Sequence, residues 1–333
     1  MKRIHIFLFL LLFSVISACT KKVESTEIVK LSYNDPTATR LFASNQNIYF
    51  DTYFTTPDDA IELQSSNGSY NGSTSILKKS AGTTFQPLVI LPQINEAAKL
   101  TMANKSTGYF AAGTNDLSHL FKTTDGGNTW TDIYTAAYGI INISAPDDNN
   151  VFVNAYSAIY KSADGGKTWS ISVPRDFNDA PNSVYFYNSM LGFVLLYNGQ
   201  MLKTVDGGRN WTSVTMPTTE PISDIFFISA TTGFAAAYGE NYLYGTTDGG
   251  ETWSELSQNF LINTGKIFFY PDGRGIIVVR GQYFLYSRDF GKTTKLFFNA
   301  VGESFASNIQ GVNDSTLMVS SNNGIYKVNF SKK

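Results

Sequence analysis

Thiol and imidazole chemistry have almost no raw material in this chain. Its 333 residues include 1 cysteine, Cys19, and 2 histidines, His5 and His119. No cysteine follows Cys19, so the remainder holds no disulfide, no thiol nucleophile and no thiolate metal site. Histidine-based zinc centres draw on two or more imidazoles, and Ser-His relays on a well-placed base, so both are poorly supplied. We therefore expect no metal and no other cofactor. Charge of one sign is also missing: 25 basic side chains stand against 27 acidic ones, a net of −2. That balance offers no electrostatic footprint for nucleic acid.

What is present begins at the first residues. Lys2 and Arg3 precede a mostly apolar stretch from Ile4 to Ile16, and Ile16-Ser17-Ala18-Cys19 supplies the small residues of a cleavage site, which is the layout of an export signal. The stretch is too short to span a membrane comfortably as a mature helix. A processing site that puts cysteine first in the mature chain resembles the bacterial lipoprotein lipobox, and the resemblance implies diacylation of Cys19. The expected organisation is a signal peptide over 1–18, a lipidated tether over 19–26 and one domain over 27–333. This layout implies a lipid-anchored, extracytoplasmic protein of a bacterial cell envelope, with the membrane and leaflet open.

One phrase recurs about every forty residues: Lys122-Thr-Thr-Asp-Gly-Gly-Asn-Thr-Trp130, Lys161-Ser-Ala-Asp-Gly-Gly-Lys-Thr-Trp169, Lys203-Thr-Val-Asp-Gly-Gly-Arg-Asn-Trp211 and Gly245-Thr-Thr-Asp-Gly-Gly-Glu-Thr-Trp253. A period of that length marks a propeller or solenoid. An apolar pair precedes each phrase and recurs at Ile76-Leu77, Leu285-Tyr286 and Ile325-Tyr326 where the phrase has decayed, which gives seven units. Each unit reads as four short strands, such as Ile140 to Ser144, Val151 to Tyr156, Ala158 to Ser162 and Thr168 to Val173. The sequence thus predicts an all-β fold, a single seven-bladed β-propeller of four-stranded antiparallel blades. The last unit stops after its third strand, and Glu27-Ile-Val-Lys-Leu-Ser-Tyr33 is a spare strand expected to complete that blade and close the ring.

Strand, Asp-Gly-Gly, strand is a hairpin signal, because glycine supplies positive φ and aspartate bonds back to nearby amides. A calcium site needs six or more oxygens and each turn offers one carboxylate. A phosphate cradle needs a helix after the glycines, and a strand follows here. The phrase resembles the Asp-box, or BNR repeat, of sialidases, xyloglucanase-type glycoside hydrolases, sortilin-like receptors and photosystem II assembly factors. The resemblance implies a structural role, away from the central pocket, for Asp125, Trp130, Asp164, Trp169, Asp206, Trp211, Asp248, Trp253 and the degenerate Asp289. The whole mature chain is most similar to the photosystem II stability and assembly factor family, which implies a binding scaffold for membrane-protein assembly. That family uses an arginine-rich patch, whereas the arginines after Cys19 are the scattered Arg40, Arg175, Arg209, Arg274, Arg280 and Arg288. The same scarcity leaves a sialidase triad unassembled, and the length supplies one propeller where xyloglucanase-type enzymes use two.

Ligand sites in propellers gather on loops at one face. Aligning the units places Tyr53, Gly113, Tyr156, Tyr197, Tyr238, Arg280 and Ser321 at the end of each second strand. The tyrosines and Arg280 form a candidate rim for a sugar or a protein loop, and the alternative is a tyrosine that fills the same gap between blades in each repeat. Asp116, His119, Arg175, Asp176, Asp179, Glu220, Asp224, Glu240, Tyr242, Tyr283 and Glu303 are expected on the same face. Thr55 to Thr74 reads as a long polar insertion over it. The resulting reading is a lipid-anchored scaffold for a protein or extracytoplasmic polymer, glycan included. The alternative is a glycoside hydrolase or lyase that uses loop carboxylates about 5–9 Å apart.

Overall fold

In most repeats the second strand is rich in apolar residues and glycine, and burial follows from that composition. Gly108–Gly113, Val151–Ala155, Gly192–Leu196, Gly233–Ala237, Gly275–Val279 and Thr316–Ser321 are buried along their whole length. A strand buried on both faces needs a strand on each side and cover above and below. A computed structural model supplies both. It describes residues 36–43, 48–66, 75–81, 84–91, 96–113, 117–137, 139–155, 158–174, 180–238, 242–257, 264–279, 283–299, 306–321 and 324–330. The described residues are all β, with no helix, and form seven four-stranded antiparallel sheets, an arrangement consistent with a propeller.

Strand β1 (Thr37–Ala43) stands apart from the sequential order. Sheet one holds β2 (Ile48–Thr56), β3 (Asp59–Ser66), β4 (Ser75–Ala81) and β5 (Thr84–Leu91). Sheet two holds β6 (Glu96–Met102), β7 (Gly108–Gly113), β8 (Leu117–Thr123) and β9 (Thr131–Ala137). Sheet three holds β10 (Ile140–Ser144), β11 (Val151–Ala155), β12 (Ala158–Ser162) and β13 (Ser170–Val173). Sheet four holds β14 (Pro181–Phe186), β15 (Gly192–Leu196), β16 (Met201–Thr204) and β17 (Thr212–Val214). Sheet five holds β18 (Ile222–Phe227), β19 (Gly233–Ala237), β20 (Leu243–Thr246) and β21 (Ser254–Ser257). Sheet six holds β22 (Thr264–Phe269), β23 (Gly275–Val279), β24 (Tyr283–Ser287) and β25 (Lys295–Asn299). In sheet seven, β26 (Ala306–Asn313), β27 (Thr316–Ser321) and β28 (Gly324–Asn329) take β1 as their fourth strand.

The strand that completes sheet seven therefore comes from the N-terminal side, but it is not the segment expected. Thr37 pairs with Asn329 and Ala43 with Gly324, while Glu27 to Tyr33 lies outside the described residues. Sheet one departs from the sequence reading as well. Thr55 to Thr74 is not a single loop, because a tight turn at Pro57-Asp58 leads into β3, which pairs with β2 from Asp59 to Ser66.

Neighbouring sheets share apolar clusters. Ile61, Leu100 and Phe110 join sheets one and two, Tyr109, Ile143 and Val153 join two and three, and Phe152, Val184 and Val194 join three and four. Phe193, Ile225 and Trp253 join four and five, Phe234, Ile267 and Ile277 join five and six, and Phe284, Val319 and Tyr326 join six and seven. Phe54 and Ala60 of sheet one meet Met318 and Ile325 of sheet seven.

The Asp-Gly-Gly turns are closed hydrogen-bond units. In sheet three the Ser162 hydroxyl donates to Asp164 Oδ1 at 2.8 Å and accepts from the Gly166 amide at 2.8 Å. The Lys167 and Thr168 amides and the Thr168 hydroxyl complete the carboxylate's shell. The Thr129 amide and hydroxyl, with the Thr123 hydroxyl, hold the matching Asp125 carboxyl down to about 2. Bonds of the same kind hold Asp164, Asp206 and Asp248 well below the usual carboxylate range. Glycine is required within the turn: Gly250 has φ +82°, and a Cβ there would lie 2.7 Å from the Phe193 ring.

Each tryptophan after a turn packs on an aromatic ring of the cluster beneath it. Trp130 lies edge-on to Phe110 at 4.8 Å, Trp169 lies 4.9 Å from Tyr134, and Trp211 and Trp253 stand edge-on to Phe186 and Phe227. Sheet six has Thr294 where tryptophan is expected, and Phe290 takes over the aromatic role. It occupies a turn position held by glycine elsewhere, at φ 61°, and stacks on Phe234 at 5.7 Å. A left-handed non-glycine residue costs about 1–2 kcal/mol, which the aromatic contact offsets.

Two outcomes follow. A chain starting at Asp35 should melt with the same single transition as the mature chain, and one starting at Asn45, which lacks β1, should lose that cooperative transition in circular dichroism. Unchanged melting of the shorter chain would show that β1 is dispensable. Ser162→Ala strips the Gly166 amide of its acceptor and should cost about 1–3 kcal/mol in urea unfolding, with Ser162→Thr restoring most of it.

Candidate ligand-binding cavity

The first strand of each sheet has one edge paired with the second strand and the other edge open. Its outward amides and carbonyls need partners from elsewhere. Six of these strands carry the same irregularity. A register shift falls between Ala97 and Lys99, Ile140 and Asn142, Pro181 and Ser183, Ile222 and Asp224, Thr264 and Lys266, and Ala306 and Asn308. A bulge re-aims the side chain that follows it. Lys99, Asn142, Ser183, Asp224, Lys266 and Asn308 all line one cavity of about 310 Å³.

Side chains of these strands cap the open edge of the next sheet. Asp51 Oδ2 accepts from the Leu100 amide at 2.8 Å, Asn142 Oδ1 from the Val184 amide at 3.0 Å, and Asp224 Oδ2 from the Ile267 amide at 2.9 Å. Two residues further along, Ser144 Oγ accepts from the Phe186 amide and the Tyr185 hydroxyl from the Phe227 amide, both at 3.0 Å. From sheet seven to sheet one, Gln310 accepts from the Phe54 amide and donates to the Phe54 carbonyl, both at 2.8 Å, and Asn308 donates to the Thr52 carbonyl.

Two of the capping carboxylates also hold a lysine of the sheet they cap. Asp51 lies 3.3 Å from Lys99 Nζ, and Asp224 lies 2.8 Å from Lys266 Nζ. For Lys266, burial favours the neutral amine, but the Asp224 charge and hydrogen bond prevail, aided by Asp51, and its pKa rises. Burial pushes the Tyr185 phenol up, keeping it neutral. These acids are structural counter-ions, and glycosidase chemistry would need a freely exchanging acid and an opposed carboxylate.

The structure sorts the residues expected on the ligand face. Tyr197 and Tyr238 sit just past β15 and β19, each fixed by its amide, which donates to Ala180 and Pro221 respectively. They are 57% and 46% exposed. Tyr156, Arg280, Asp116, Arg175, Asp176, Asp179, Glu240, Glu303 and Cys19 lie outside the described residues. Tyr53 does not belong to the rim: it lies within β2, a first strand, and the end of the second strand in sheet one is Ser66. His119 is on β8, with Nδ1 2.7 Å from Asp132 Oδ2 of β9, and so serves a strand pair rather than a loop face. Asp224 is in the cavity. None of the turn aspartates or tryptophans lines it, and among the described residues no cluster of three or more His, Cys, Asp or Glu side chains is placed to hold a metal.

The first-strand residues Asp51, Lys99, Asn142, Ser144, Ser183, Tyr185, Lys266, Asn308 and Gln310 were not singled out by the sequence. Their signal is a polar residue after the bulge, repeated about every 42 residues from Asn142 to Asn308, in a strand otherwise rich in apolar residues.

With this geometry the chain falls among the β-propeller-like proteins by fold. No protein-family model matches its sequence, and no curated protein does. It is similar to the solved structure of YCF48 bound to D1 peptide, at 16% identity over 92% of this chain and 100% of that one, with a TM-score of 0.66. It is also similar to the GH74 enzyme of Niastella koreensis, at 16% identity over 83% of this chain and 50% of that one, TM-score 0.61. A third similar structure is an inactive virginiamycin B lyase from Staphylococcus aureus with quinupristin, at 11% identity over 89% and 100%, TM-score 0.63. At these identities the likeness is one of fold.

Asp224→Ala removes both the cap on Ile267 and the counter-ion of Lys266. It should destabilise by about 2–3 kcal/mol, below the ~3–5 kcal/mol of a fully buried pair because both side chains keep some exposure. Asp224→Asn retains an amide acceptor for Ile267 and should lose less in denaturant titrations; equal losses would show that the cap contributes nothing.

Proposed function

We propose that this chain is an exported, lipid-anchored binding propeller, tethered through Cys19 in a bacterial cell envelope, with seven Asp-box-type blades closed into a ring by β1. The contacts of Phe54 and Ala60 with Met318 and Ile325 support the closure. In this reading a face that includes Tyr197 and Tyr238 receives a segment of a partner protein, and Tyr156 and Arg280, at the matching positions of their repeats in the sequence, are proposed to contribute to it. The observation that carries it is the contrast between the two kinds of residue available for chemistry. The capping carboxylates Asp51 and Asp224 are committed to lysines and backbone amides, whereas tyrosines stand exposed at equivalent ends of successive second strands. Exposed tyrosine gives rigid apolar area with a polar tip, which suits interfaces. The similar YCF48 structure holds a D1 peptide, in keeping with a protein partner.

The test is retention of envelope proteins by the purified full chain, quantified by mass spectrometry, for the parent and for Y156A/Y197A/Y238A/R280A. The variant should lose specific partners by about tenfold, the scale of one lost aromatic hot spot. Unchanged retention would sink the tyrosine-face reading, and sugar release from xyloglucan by the parent would favour a glycoside hydrolase. Cys19→Ser should move the chain from the membrane to the soluble fraction.

A further inference from the structure

Capping the open strand edges consumes hydrogen-bond acceptors and leaves donors. Asn142 Oδ1 is taken by the Val184 amide, so its Nδ2 amide protons remain. Ser144 Oγ accepts from the Phe186 amide, so its hydroxyl proton remains. Asp51 and Asp224 each receive a backbone amide and a lysine ammonium. The lysines are the more exposed partners of these pairs: Lys99 and Lys266 keep 23% and 29% of their side-chain surface exposed, against 7% and 15% for Asp51 and Asp224. An ammonium has three donors, and each ion pair occupies one of them. Thr101 and Ser183 add hydroxyls to the same wall. One group runs the other way: Asn308 donates its amide to the Thr52 carbonyl and keeps its own carbonyl as an acceptor.

We propose that the cavity is a carboxylate-binding site, in which Lys99 and Lys266 supply charge and Asn142, Ser144 and Ser183 supply neutral donors. Lys266 is protonated at neutral pH because Asp224 outweighs its burial. The volume of about 310 Å³ accepts a small acid or the last residues of a chain, not a folded domain. The shared chemistry is a carboxylate, carried by a free small acid or by a polypeptide terminus. The site needs no partner protein, and neither Tyr197 nor Tyr238 lines the cavity, so substitutions at the tyrosines and at the lysines test the two readings separately.

Isothermal titration of the full chain with succinate, tri-alanine, tri-alanine amide and inorganic phosphate tests it. Succinate or tri-alanine should bind, and tri-alanine amide should bind at least about tenfold more weakly, as expected for a lost charge-assisted hydrogen bond. Tighter succinate binding identifies a free acid as the source, and tighter tri-alanine binding a chain terminus. D224N/K266M removes one ammonium without stranding its carboxylate and should weaken binding at least about tenfold. On the unmodified chain, the tighter ligand should also slow acetylation of Lys99 and Lys266 relative to the other lysines. The proposal is overturned if neither acid binds, if phosphate or the amide binds equally well, or if acetylation of both lysines is unaffected by ligand.

Discussion

Much of this structure depends on how the open edge of each first strand is satisfied. Inside a sheet every strand pairs with two neighbours, but the first strand pairs with only one, and its other edge faces the cavity where sheets converge. A buried amide without a partner costs about 1–3 kcal/mol, and each strand would carry several. The solution repeated from sheet to sheet is a side chain from the preceding first strand: Asp51, Asn142, Ser144, Tyr185, Asp224 and Gln310 each bond to a backbone amide of the sheet that follows. This requirement makes the first strands polar on one side, while six of the second strands are buried along their whole length.

The apolar clusters and the caps act on the same seams in different ways. Clusters such as that of Phe193, Ile225 and Trp253 give attraction without direction, and the caps fix register, because an amide accepts a partner at one place only. Sheet six shows how tightly the packing is set. Losing the tryptophan at Thr294 is met by Phe290 in a left-handed turn position, so the aromatic surface is restored from a different place in the phrase. The serine or threonine and the aspartate of the turn persist there, with Ser287 bonded to Asp289 and Gly291. The hydrogen-bond unit and the aromatic cover are thus separable parts of one turn.

Local chemistry was legible in the sequence, and long-range chemistry was not. The Asp-Gly-Gly turns could be read because every partner of Asp164 lies within a few residues of it. The four-strand repeat followed from the spacing of those turns. The caps could not be read in the same way, since Asn142 and the Val184 amide lie 42 residues apart and the bulge after Ile140 breaks the simple alternation. Sheet one lacks the complete phrase that sets register elsewhere, and there the reading slipped by one strand: Tyr53 was placed at a second-strand end and belongs to a first strand. The fourth strand of sheet seven is Thr37–Ala43 rather than Glu27–Tyr33, because apolar content alone does not say which of two adjacent segments will meet β28.

The contact between sheets seven and one is where these constraints press hardest. Among the described residues, its apolar cluster, Phe54 and Ala60 against Met318 and Ile325, is smaller than the cluster that Phe284, Val319 and Tyr326 anchor between sheets six and seven. Hydrogen bonding is correspondingly denser. Gln310 engages both the amide and the carbonyl of Phe54, and Asn308 adds a bond to Thr52, whereas Asn142 and Ser144 each give the next sheet one backbone bond. A glutamine that satisfies both groups of one residue mimics a strand partner, so the two ends of the sequence meet through side chains that imitate backbone. The same substitution of side chain for strand, repeated with aspartate and asparagine, turns the remaining donors inward and gives the cavity its chemical character.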